Sequence, residues 1–462
     1  MLNDLRELIA VKSVMGEAKE NAPFGEGPRK ALDVFLNIAA RYGFKTHDEG
    51  GYCGWAGMGE GEDIIGILGH LDVVPAGEGW SHDPYSLAIE DGLLLGRGVA
   101  DDKGPTIAAL HAMKRIKDSG IKLRHRVRLI VGCNEENGSQ CIEYYREHCE
   151  IPKASFVPDA DFPIINSEKG ILHLLLTLDC DSALTQNVSK MNAGIRPNVV
   201  PDLCSLDVPK DSELYGYLEK LGSDNSVFTR PEVATVIARG NMRIEDFSIH
   251  FFEDKLVLEA RGVAGHAMDP DKGENAAVKM LKLLSGLPAT KKSAALNSIV
   301  GALGANDSAK LLGIECEDEV SGKLTVNLGI LELKSGKLNI TLDLRLPVCA
   351  DHEKVKAKIA ERISGAVVAE LRFSPNLYIP ADNPLITARL SAYEEVTGEK
   401  GECLYCGGGT YARELPNAVA FGPTFKGLET NIHNIDESFP IELMEKLVGI
   451  YEKAILKLDL LF

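Results

Sequence analysis

The texture of the chain changes twice, and this limits what it can fold into. The first third alternates short apolar runs with amphipathic segments. Residues 63–69 (DIIGILG), 126–131 (RVRLIV) and 155–157 read as strands. Residues 106–119 put Ile107, Leu110, Met113 and Ile116 on one helical face, with Pro105 suited to the first turn and Gly120 as a stop. Such alternation predicts a mostly parallel sheet covered by helices. After about Gly170 alternating strands take over, at 171–178, 247–252, 255–260, 324–331 and 337–344, with helices at 274–285 and 352–363. From about Pro375 the first texture returns, with a strand at 418–422 and a long closing helix after Pro440. The expected fold is an α/β domain, a mixed and mostly parallel sheet with helices on both faces, built from residues 1–175 and 376–462. An α+β domain at 176–375, itself reading as two units of similar style, interrupts it.

Several function classes fall away on composition. A formal charge of −18, with no Lys/Arg stripe to reverse it locally, repels phosphate backbones, so nucleic acid is not an expected partner. No run approaches the roughly 18 apolar residues of a membrane span. The opening MLNDLRELIAVKSV mixes acids and bases at helical spacing and lacks the apolar core of a signal peptide; with ten cysteines scattered at irregular spacing, a cytoplasmic protein with reduced thiols is expected.

Five segments place acids or histidines directly after apolar runs, and the strand ends along one edge of an open α/β sheet form its ligand crevice. They are Gly69-His70-Leu71-Asp72, Gly96 to Gly104 (GRGVADDKG), Cys133 to Gly138 (CNEENG), Pro158-Asp159-Ala160-Asp161 and Asn431-Ile432-His433-Asn434. Each has an ordinary explanation alone: a surface turn, an N-cap for one of Asp101 and Asp102, an acidic loop. Together they offer two imidazoles and several carboxylates, a donor set suited to Zn²⁺, Mn²⁺ or Co²⁺ and not to a thiolate site. Adjacent side chains diverge, so of Glu135 and Glu136 one can bind a metal while the other activates water.

The segments GHLDVVPAGEGW, DPYSLAIEDGLLLGRGVADDKGP, NEENG, PDADFP and IHNIDE closely resemble the zinc aminopeptidase-like family that includes carboxypeptidase G, aminoacylase and succinyl-diaminopimelate desuccinylase. Within it the chain is most similar to the dipeptidase V and carnosinase-like dipeptidases. The resemblance implies hydrolysis of the amide bond of dipeptides or very short peptides, with an aminoacylase or deacylase acting on N-acyl amino acids as the alternative. It implies two divalent ions, zinc or manganese with cobalt possible, bridged by Asp101. His70 and Asp159 would complete one site, Glu136 and His433 the other. Glu135 would be the general base acting on a water shared by the ions, Asp72 the acceptor behind His70, and Asp101–Asp102 a non-proline cis peptide.

The same resemblance makes the inserted domain a lid. In it GVAGHAM carries His266 as the expected oxyanion donor, and Asn198 (RPNVVP) and Arg345 (LDLRLP) are expected to bind substrate, Arg345 by gripping a carboxylate with two parallel hydrogen bonds. Gly408, Gly409 and Thr410 fall in a glycine-rich loop expected to present backbone N–H groups to substrate. An insertion of about 200 residues, within the size of two ordinary small domains, leads to the expectation of a monomer whose second lid half replaces a partner subunit, a homodimer being the alternative.

Overall fold

The computed structural model describes every residue except Asn306 and Phe462. Two compact units are present: Met1–Glu168 with Leu377–Phe462, and Lys169–Asn376.

The first unit is built on a mixed nine-stranded sheet. Its centre is parallel: Ile64–His70 runs between Arg126–Gly132 and Ala154–Val157, and Ala418–Ala420 continues beside the latter. These strands are predominantly apolar and almost wholly buried, as parallel strands covered by helices must be. The hairpin Lys45–Glu49 and Cys53–Met58 adds an antiparallel edge; its outer strand, KTHDE, is polar and mostly exposed, so no alternation in the sequence announces it.

Two glycines show which helices cover which face. An added Cβ at Gly69 would strike Thr106 Oγ1 of the helix Lys103–Ser119, whereas one at Gly132 would meet Tyr411 and, at 2.8 Å, Cys141 Sγ of the helix Gln140–His148. Gly132 pairs with His70, the neighbour of Gly69, and neighbours along a strand point to opposite faces, so the two helices lie on opposite sides. The closing helix Ile441–Leu458 packs against Lys103–Ser119 and Pro384–Thr397 and buries Leu447, Ile450, Ala454 and Leu458.

The second unit holds one antiparallel sheet of eight strands. Four come from residues 190–261 and four from Thr325–Lys334, Lys337–Leu346, Gly170–Asp179 and Val367–Ser374, and the halves meet where Lys190–Ala193 pairs with Thr325–Lys334. Strand Gly170–Asp179 straddles the expected boundary at 175, but both its partners are strands of this unit. Its Leu172, Leu174, Leu176 and Leu178 are buried with the helices of one face, the half-buried alternation expected of an antiparallel sheet.

Because a methyl at Gly69 would also come within 2.8 Å of Asp102 Oδ2, Gly69→Ala overpacks the seam between strand and helix. We expect it to destabilise the fold by about 1–3 kcal/mol, read from the urea midpoint at unchanged slope.

Candidate metal centre

Parallel register decides the site. Strands Ile64–His70, Arg126–Gly132 and Ala154–Val157 point the same way, so the residues just beyond their ends, His70 and Asp72, Glu135 and Glu136, and Asp159, gather along one edge of the sheet. Asp101 arrives on the turn before Lys103–Ser119 and His433 on the loop before the closing helix.

The carboxylate of Asp101 lies between the two imidazoles. Its Oδ1 is 2.8 Å from His70 Nε2 and its Oδ2 is 2.9 Å from His433 Nε2. Asp159 Oδ2 lies 3.7 Å from the same His70 nitrogen, and Glu136 Oε2 lies 3.2 Å from that of His433. Two donor groups result, His70/Asp101/Asp159 and Asp101/Glu136/His433, and within each the donor atoms all lie within 4.8 Å of one another. All five residues expected from the sequence to hold metal are thus brought together.

Two other acids of these segments, Asp72 and Asp102, hold backbone. Asp72 accepts the N–H groups of Glu135 at 3.0 Å and Glu136 at 3.1 Å, while His70 Nδ1 sits 3.0 Å from the Asp72 carbonyl and 3.5 Å from its carboxylate. Asp72 therefore stands behind His70 with its backbone carbonyl nearer the ring than its carboxylate, and its carboxylate fixes both glutamates. Asp102 stands at the N-cap of Lys103–Ser119, yet its carboxylate accepts the His70 N–H and the Thr106 hydroxyl, each at 3.0 Å, instead of a helix amide. The Asp101–Asp102 peptide is cis.

Six carboxyl groups (Asp72, Asp101, Asp102, Glu135, Glu136 and Asp159) crowd two imidazoles, and their proton affinities register it. Burial, reinforced by the Asp101 charge, pushes Asp159 and Glu136 above the usual carboxylate range. Burial pushes Glu135 up to about 8, with His70 opposing and Glu136, Asp72 and Asp101 adding. Hydrogen bonds to Asp101 and Glu136 raise His433 to about 11, and despite burial the carboxylates of Asp101 and Asp72 hold His70 well above its ordinary value. For Asp101 burial is outweighed by its two histidines, which keep it well below the usual range. Such an excess of carboxylates over cations suits divalent ions, and the oxygen and imidazole donors are those that Zn²⁺ and Mn²⁺ accept.

Other sequence candidates are placed differently. Thr410 spends both its N–H (3.2 Å) and its hydroxyl (2.7 Å) on Glu168, which also accepts Arg413 Nε at 3.1 Å. The expected presentation of the Thr410 N–H to substrate is therefore corrected: Thr410 anchors the loop. The Gly408 N–H lies 3.2 Å from Cys406 Sγ, and Gly409 packs against the Arg413 guanidinium. Within the second unit, Ala267 N–H bonds the Asn198 carbonyl at 2.9 Å, which sets the His266 and Asn198 segments side by side. Arg345 is buried, gripped by Asp343 through Nε (2.6 Å) and Nη2 (3.0 Å), and Asp343 also meets His173 Nε2 at 3.0 Å. Glu437, which sequence reasoning passed over, is fully buried and accepts the Asp101 N–H; its only signal was an acid four residues after His433.

Imidazole and carboxylate groups joined by a shared aspartate at the carboxyl edge of a parallel sheet are the equipment of a metal-dependent hydrolase. The chain belongs to peptidase family M20/M25/M40, whose model matches residues 66–457. It is 36% identical over 467 residues to “Putative dipeptidase YtjP” of Bacillus subtilis (strain 168), covering 99% of this chain and 97% of that protein. A Staphylococcus aureus (strain USA300) protein also named “Putative dipeptidase” is 34% identical over 478 residues, with the same coverage of each chain. Among solved structures the fold resembles an M20 family metallo-carboxypeptidase from Sulfolobus solfataricus (TM-score 0.58, 18% identity, 99% and 98% of the two chains). It also resembles human carnosine dipeptidase 1 (TM-score 0.56, 14% identity, 100% and 96%).

Because Asp101 belongs to both donor groups, Asp101→Ala should lose tight metal binding, whereas His433→Ala should leave the His70/Asp101/Asp159 group able to hold metal. Elemental analysis after gel filtration checks this, and a full metal complement in folded Asp101→Ala would move the shared ligand elsewhere.

Proposed function

We propose that the chain is a dipeptidase that uses two divalent ions, zinc or manganese with cobalt as a substitute, to hydrolyse dipeptides or very short peptides. His70, Asp101 and Asp159 hold one ion, and Asp101, Glu136 and His433 hold the other. The observation that carries this reading is the Asp101 carboxylate, which turns one oxygen to each histidine. Relatives aligned from end to end that bear dipeptidase names support the substrate class.

When bound, the ions supply Lewis acidity to the scissile carbonyl and to an attacking water. Glu135, held through its backbone by Asp72, takes the proton of that water and later delivers it to the leaving amine. His266 accepts the Met268 N–H on Nδ1 at 3.1 Å, so its neutral ring carries the proton on Nε2, the tautomer needed to donate to an oxyanion. Asn198 and Arg345 are assigned to substrate binding. For Arg345 the grip of Asp343 sets the plane of the guanidinium that meets a carboxylate. Gly408 and Gly409 line the substrate loop that Thr410 anchors.

No helix among the described residues is long and apolar enough to cross a membrane. We place the enzyme in the cytoplasm as a monomer; activity per chain should stay constant on dilution, with a single-chain mass by light scattering.

Glu135→Gln removes the base and leaves the donor groups. It should keep its metal and lose roughly 10²–10⁴-fold in kcat, and near-wild-type turnover would assign the base to another residue. Free amino acids released from a dipeptide panel, measured beside N-acetylated amino acids, test the substrate class. Faster turnover of the acetylated compounds would replace the dipeptidase reading with a deacylase while leaving the metal centre as described.

A further inference from the structure

The carboxylate of Glu437 is spent on one loop and one arginine. Its Oε1 accepts the N–H of Ala100 at 2.9 Å and of Asp101 at 3.2 Å, both oxygens meet the Gly98 N–H at 3.0 and 3.1 Å, and Oε2 accepts Arg97 Nη1 at 2.7 Å. The Glu437 carbonyl takes the Gly96 N–H at 3.1 Å. Arg97 extends the link backwards along the other loop: its Nη2 donates to the Asn434 carbonyl at 3.1 Å, and its guanidinium lies 5.1 Å from the centroid of the Trp80 ring. Asp436 is tied in turn to Ser81, through the N–H at 2.8 Å and the hydroxyl at 2.9 Å.

His433 lies directly before these anchors. Its side chain is 53% exposed, so packing does little to fix it. Its φ of 65° is left-handed, with Asn431 at 52° and Asp436 at 54° on either side, a backbone course a non-glycine residue keeps only when its surroundings impose it. The two loops that carry Asp101 and His433 are thus joined through the Glu437 carboxylate and the Arg97 guanidinium.

We propose that Glu437 is a positioning residue of the metal centre: with Arg97 it sets the Asp101 backbone and the His433 loop at a fixed separation, so that one aspartate serves both donor groups. This rests on the two-ion reading above. Since Asp101 belongs to both groups, losing Glu437 weakens both binding steps, while losing only the Arg97 bridge to Asn434 weakens the step that uses His433.

The test is calorimetric titration of chelator-stripped protein with Mn²⁺, with His433→Ala identifying the step that involves this histidine. Glu437→Gln keeps the shape but turns an amide NH₂ toward backbone N–H donors. We expect about 10–100-fold weaker affinity in both steps, unchanged far-ultraviolet dichroism, and activity that returns at saturating Mn²⁺, which a purely structural defect would not allow. Arg97→Lys should weaken the His433 step alone. Wild-type affinity in folded Glu437→Gln, or a loss confined to one step, overturns the proposal. If Glu437→Gln does not fold, Arg97→Lys decides, and wild-type affinity in both of its steps has the same force. Should the wild-type chain bind a single Mn²⁺, the two-ion reading fails; the positioning of Asp101 is then judged on whether that one step weakens in Glu437→Gln.

Discussion

One carboxylate facing two imidazoles is the constraint to which the rest of the first unit answers. Asp101 can stand between His70 and His433 only if segments from opposite ends of the chain meet within hydrogen-bond distance of a buried acid. Gathering acids there is costly, because burial and mutual repulsion both oppose ionisation. The fold meets this with a repeated device. In three of the five ligand loops a second, buried carboxylate accepts backbone N–H groups from another segment: Asp72 holds Glu135 and Glu136, Asp102 holds His70, and Glu437 holds Asp101. The donor side chains are therefore oriented through their backbones, which leaves their own oxygens and nitrogens turned toward one another.

This device explains how the adjacent acids divide their work. In Asp101–Asp102 the first carboxylate meets the histidines while the second turns back to the strand that delivers His70 and to Thr106. In Glu135–Glu136 the second approaches His433, and both are carried on amides that end at Asp72. At Asp101–Asp102 the two tasks thus fall to two acids, one facing the histidines and one bracing the strand that delivers His70.

Much of this was legible in the sequence because strand ends are. Apolar runs at 63–69, 126–131 and 155–157 marked where parallel strands stop, and the polar residues just beyond them, with Asp101 and His433, formed the donor groups. The edge strand Lys45–Glu49 was not legible, since a strand with little buried surface leaves no period in its residues. Glu437 and the bracing side of Asp102 were hidden for a different reason. A carboxylate that bonds backbone N–H groups has partners of no particular residue type, and those of Glu437 lie 336 to 339 positions away. Thr410 misled because a glycine-rich loop looks open for ligand in sequence; only the structure shows that Glu168 has already taken its donors.

The buried acids also tie folding to ions. Unfolded, the six carboxyls of the centre are dispersed and hydrated, and the proton affinities of Asp159, Glu135 and Glu136 rise only when the chain brings them together. In that arrangement either protons or cations must offset the charge. Protons would neutralise these donors, whereas divalent ions held by them would keep them ionised. Any ion that prefers the folded chain adds its binding free energy to the stability of this unit. The bracing carboxylates then act on both quantities at once: by holding the loops in register they lessen the ordering left for ion binding to impose, and the bound ions remove the repulsion that the braces must otherwise withstand.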